Sequence, residues 1–97
     1  MSPRQPIERV QTGVRLEKRL LNVLKALAAA NDLGLGDLIE GIVLHALEGR
    51  SPFGPESLRK IEALRRVYEL DLRAEDAHQL VERPRRQGGS RKLQKIR

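Results

Sequence analysis

Residues 10–21, VQTGVRLEKRLL, change period in mid-run, and that change constrains what the chain can fold into. Val10, Thr12, Val14 and Leu16 alternate with Gln11, Gly13 and Arg15, the spacing of a half-buried β-strand. From Leu16 onward, Leu20, Leu21, Leu24, Leu27 and Ala28 recur at the spacing of one helical face. A lone strand leaves its backbone N–H and C=O groups unpaired, and no second segment of comparable β character occurs in the chain. The expectation is that a second copy supplies the partner. Two chains related by a twofold axis pair their strands antiparallel, above the helices that follow in sequence.

The rest of the chain reads as helices separated by strong breakers. Residues 1–8, with Pro3 and Pro6, are expected to form a flexible arm. A strand is expected over about residues 9–16 and a first helix over about 17–31, built on KRLLNVLKALAAA with Leu20, Leu24, Leu27 and Ala28 inward. NDLGLGD interrupts it. The second helix, LGDLIEGIVLHALEG, carries Leu38, Ile39, Ile42, Val43, Ala46 and Leu47 on a face too wide for the first helix alone to cover, and Gly49 stops it. RSPFGPESL is a turn. Gly54 as cap and Pro55 in the first turn open a third helix over about 55–69, with Phe53 and Leu58 as a hydrophobic staple and Leu58, Ile61, Leu64 and Tyr68 inward. Glu62 and Arg66 are placed to pair on its surface. A short fourth helix is expected over about 74–82, ended by Pro84.

A chain of 97 residues makes one small domain whose single core is modest. It has no cysteine, hence no disulfide or thiolate metal site, and Phe53 and Tyr68 are its only aromatic residues. Stability is therefore expected from association. Val14, Leu16, Leu38, Ile39, Ile42 and Val43 are the candidate dimer core.

Charge is concentrated at the ends. Lys and Arg against Asp and Glu give +2 for residues 1–16, −2 for 17–48, −1 for 49–82 and +7 for 83–97. Basic ends favour a polyanion. No apolar run approaches a membrane span, and MSPRQPIER lacks the apolar core of a signal peptide, so a cytoplasmic protein without a membrane partner is expected.

Residues 10–47, VQTGVRLEKRLLNVLKALAAANDLGLGDLIEGIVLHAL, resemble the ribbon-helix-helix fold, the DNA-binding group that includes the MetJ- and Arc-type repressors. The resemblance implies a mainly α protein with one N-terminal β-strand, an intertwined homodimer over residues 9–48, with residues 49–82 as a C-terminal helical extension and 83–97 as a basic tail expected to be disordered alone. In such proteins the paired strands enter the DNA major groove, which admits a two-stranded ribbon. Base contact is thereby carried onto Gln11, Gly13 and Arg15; Arg pairs bidentately with guanine and Gln with adenine, whereas Gly13 departs from the usual polar residue. The resemblance also implies a phosphate held at the start of the second helix by Gly34, Leu35 and Gly36, where relatives commonly carry hydroxyl residues in place of the two glycines. Arg9 is a further phosphate contact. The tail cations Arg83, Arg85, Arg86, Arg91, Lys92, Lys95 and Arg97 are expected to attract phosphates without regard to sequence.

The function expected is sequence-specific binding of double-stranded DNA by a homodimer, as a transcriptional regulator or repressor. Two alternatives accompany it: an antitoxin that captures a protein partner through residues 49–82 and represses its own operon, and a non-specific DNA-organising or dimerisation module. No cofactor, metal or catalysis is expected. His45 sits among apolar neighbours on the second helix and His78 has no second His at metal-binding spacing, so neither suggests zinc, and no nucleophile with a base or Gly-rich phosphate loop is present.

Overall fold

The computed structural model describes residues 4–84. Three α-helices of 13 residues each follow one another: α1 (Lys18–Ala30), α2 (Leu35–Leu47) and α3 (Pro55–Val67), with a 3₁₀ turn at Ala74–Asp76. Each begins differently. Glu17 caps α1 by accepting the Leu20 N–H at 2.9 Å. Gly34 and Gly54 precede α2 and α3 with extended backbone and no side-chain cap, and Pro55 stands in the first turn of α3, where its missing N–H costs nothing.

All three helices end alike. Beyond the C-caps Asn31, Glu48 and Tyr68, the next residues Asp32, Gly49 and Glu69 take positive φ angles of 61°, 72° and 57°. The N–H groups of Leu33, Arg50 and Leu70 then reach back to Ala28, His45 and Arg65 carbonyls at 2.8, 2.9 and 2.8 Å, so each stop is a Schellman motif that satisfies carbonyls the helix leaves open.

The core is small. Leu27, Ala28 and Leu38 form its buried centre, with Leu24, Ile42, Phe53, Ile61 and Leu64 packed around them. Val23 and Leu70 are also buried. Helix α1 packs against both α2 and α3, whereas the backbones of α2 and α3 do not approach each other. Lys60 Nζ donates to Asn31 Oδ1 at 3.3 Å, tying α3 to the end of α1. Arg65 Nη2 donates to the Leu72 carbonyl at 3.0 Å, folding the following chain back on α3.

Four expectations are corrected. No strand occurs among the described residues, so the N-terminal β-strand, and with it the ribbon-helix-helix architecture, is not found; residues 4–17 run as an irregular segment. A strand exists through its ladder, and within the chain nothing offers one: no backbone hydrogen bond among the described residues involves residues 4–16. Nor does the alternation divide a buried face from a wet one, since Val10 and Val14 are 78% and 74% exposed. The fourth helix shrinks to the single 3₁₀ turn, closed by Arg73 N–H donating to Asp76 Oδ2 at 2.8 Å. His78, at φ 69°, breaks the run, and Leu80 and Val81 are exposed, leaving no apolar face to sustain a helix too short to form by propensity. Glu62 and Arg66 make no ion pair with each other, and Leu58 and Tyr68 of the expected inward set are exposed. No helix among the described residues is long and apolar enough to cross a membrane.

Candidate nucleic-acid interface

The segment before α1 carries the candidate DNA-contacting side chains, and every residue from Arg4 to Leu16 is exposed. Within it two arginines are held by carboxylates distant in sequence. Arg9 meets Glu40 as a fork: Nε lies 2.9 Å from Oε2 and Nη2 2.8 Å from Oε1, with Asp37 Oδ1 3.3 Å from Nη2. The hydrogen bond from Arg9 holds the Glu40 carboxyl below the ordinary glutamate range, burial opposing it and the guanidinium charge adding to it. Arg15 grips Glu82 in the same way, Nε to Oε1 at 3.3 Å and Nη2 to Oε2. Both pairs raise the arginine's own affinity for its proton, through the hydrogen bond first and the carboxylate charge second.

A third arginine fixes the root of the segment. Arg19 Nε lies 2.9 Å from Glu17 Oε2, while Nη1 donates to the Glu69 carbonyl and Asp71 Oδ1, each at 3.0 Å. The start of α1 is thereby bound to the stop of α3. Partial burial disfavours the Glu17 charge, but the Leu20 N–H and Arg19 outweigh it, and the carboxyl titrates below its ordinary value.

The expected site residues fall into two groups. Arg9 is brought to the first turns of α2, so it gathers with Gly34, Leu35 and Gly36. The first helical hydrogen bond there runs from Leu38 N–H to the Gly34 carbonyl, which leaves the N–H groups of Leu35, Gly36 and Asp37 without a backbone acceptor. Asp37 stands in that turn. A Cβ added at Gly34 or Gly36 meets nothing within 4 Å, so neither glycine is required by crowding. Arg15 is held instead by Glu82. Gln11 has no hydrogen-bond partner among the described residues, and a Cβ at Gly13 also enters open space. Of the tail cations, Arg83 is described and exposed; Arg85, Arg86, Arg91, Lys92, Lys95 and Arg97 lie outside the described residues.

The candidate dimer residues are similarly divided. Leu38 is spent in the chain's own core, Ile39 and Ile42 are half-buried, and Val14, Leu16 and Val43 are exposed. Leu16, Leu20, Leu24, Ile39, Ile42 and Phe53 line an open apolar groove of about 400 Å³. Leu44 and Leu47 extend the uncovered apolar surface of α2. His45 Nδ1 sits 2.7 Å from the Gly41 carbonyl, to which it can only donate, and no group of three His, Asp or Glu side chains able to hold a metal occurs among the described residues.

Glu40, Asp37 and Glu82 were not legible as partners of these arginines. They stand 31, 28 and 67 residues away, and no local spacing signals such a contact.

Comparison with protein-family models, with curated proteins and with solved structures finds no match for this chain. The functional reading therefore rests on its own residues.

Proposed function

We propose that the chain is a homodimeric, sequence-specific DNA-binding protein that regulates transcription. The observation that carries this reading is the exposed segment 4–16, which combines unused backbone groups, cations and bare apolar side chains on one stretch. Apolar surface of that kind calls for a partner, and the twofold association of identical chains is the common solution. Val14 and Leu16, with Ile39, Ile42 and Val43, supply the contact. Arg15 pairs with guanine and Gln11 with adenine, Arg9 and the open N–H groups of Leu35 and Gly36 take phosphates, and the basic ends add attraction independent of sequence. Gly13 lets the backbone come close to the groove.

Selection of bound duplexes from a random-sequence library tests the whole reading. A shared motif with twofold symmetry is expected; recovery without any motif selects the non-specific DNA-organising alternative. The exposed Leu58 and Val67 on α3 favour a second reading, in which residues 49–82 also hold a protein partner, as an antitoxin does.

A further inference from the structure

We propose that Glu82 and Glu40 act as internal stand-ins for DNA, holding Arg15 and Arg9 in a clasped resting state that the nucleic acid must exchange. This rests on the DNA-binding reading above and concerns how the same surface is regulated. In both pairs the carboxylate occupies the Nε and Nη2 edge of the guanidinium. That planar edge is a fork that pairs side-on with one partner at a time, whether carboxylate, phosphate or the O6 and N7 of guanine. Occupation by Glu82 and engagement of DNA through that edge are therefore mutually exclusive for Arg15, and Glu40 stands in the same relation to Arg9.

The two clasps tie opposite parts of the segment to different elements. Arg9 is fastened to α2, and Arg15 to the chain beyond the 3₁₀ turn. Both pairs are largely exposed, with side-chain exposures of 59% and 45% for Arg9 and Glu40 and 76% and 63% for Arg15 and Glu82. Such pairs are weak enough to be exchanged by a phosphate, and each clasp lowers affinity by up to about fivefold. The free chain thus keeps the forks of its base-reading Arg15 and its phosphate-contacting Arg9 occupied until DNA displaces the carboxylates.

The test is a double-mutant cycle on the full chain, read by fluorescence anisotropy against a labelled random-sequence DNA duplex at low salt. Glu82→Gln is expected to tighten binding by about two- to fivefold in the parent and to change nothing in an Arg15→Ala background. Glu56→Gln, which removes an exposed acidic residue that makes no ion pair among the described residues, controls for the general effect of lost negative charge. Equal tightening by Glu82→Gln with and without Arg15 overturns the clasp, as does no tightening while Arg15→Ala still weakens binding. If Arg15→Ala leaves binding unchanged, the DNA reading of that residue falls and the clasp falls with it. A readout without DNA separates the two failures: the Arg15 Nε–H resonance is expected to shift on Glu82→Gln, and an unmoved resonance removes the pair from solution.

Discussion

Glu69 occupies at the end of α3 the position that Gly49 occupies at the end of α2: each is the first residue past the C-cap, at φ 57° and 72°. Only glycine takes this backbone freely, because an L side chain crowds the following carbonyl. Glu69→Gly is expected to stabilise the chain by about 1 kcal/mol, and Gly49→Ala to destabilise it by a similar amount. Since a Cβ at Gly49 meets nothing within 4 Å, the latter cost is conformational alone. Thermal unfolding reads both, at about 4–8 °C per kcal/mol for a domain of this size; shifts of the same sign in the two variants reject the account.

Leu27 is 1% exposed and sits where the side chains of all three helices converge. Leu27→Ala removes its contacts and leaves a cavity, at an expected cost of about 2–5 kcal/mol. Urea unfolding should show a lower midpoint for this variant, while Leu47→Ala, at an exposed position, stays near the parent.

Glu17 links acidity to stability. Its carboxyl has a lowered pKa in the folded chain, so the unfolded state binds a proton more readily, and the stabilisation is fully present above the ordinary glutamate pKa. It is lost as pH falls from there through the lowered folded value. Glu17→Gln is expected to lower stability by about 1 kcal/mol at neutral pH, through the weakened cap, and to flatten the loss on acidification. Unfolding free energies measured across the acidic range check both parts.

Arg15→Ala is expected to reduce discrimination for the selected DNA site by about 1–3 kcal/mol per lost bidentate contact, with helix content unchanged. Footprinting with matched and mismatched duplexes measures it. Unchanged preference assigns base reading elsewhere on the surface.

Val43→Asp places a charge on the uncovered face of α2 without touching the buried centre. Sedimentation at micromolar concentration should find the parent as a dimer and this variant as a folded monomer, since an unpaired charge is not accommodated in an apolar contact. A monomeric parent removes the dimer.

The helices were readable because their signals are local. Apolar spacing in α1 and α2, Gly49 past the stop, and Gly54 followed by Pro55 each need only a few neighbouring residues, and the observed bounds fall within two residues of those expected. The segment containing Val10, Val14 and Leu16 misled because alternation records a preference for a pleated surface, whereas a strand requires a ladder that the described chain does not provide. Ala74–Glu82 failed for a different reason: the residue types suit a helix, but His78 turns the backbone away and no packing rewards continuation. Arg9 and Arg15 were read as outward and DNA-contacting from the alternation and the ribbon-helix-helix resemblance, and they are exposed. Their carboxylate partners belong to the tertiary fold, which spacing along the sequence does not encode.

The position of α1 between α2 and α3 orders how the molecule opens. Three residues of α1 are buried, one of α2 and none of α3, so the outer helices can each peel away without disturbing the other. Amide protons of α1 should exchange with solvent only on complete unfolding, those of α3 soonest. Partial detachment of α3 would bare Leu27 and Ala28 while α1 and α2 stay joined, which makes the third helix the natural first point of entry for a protease.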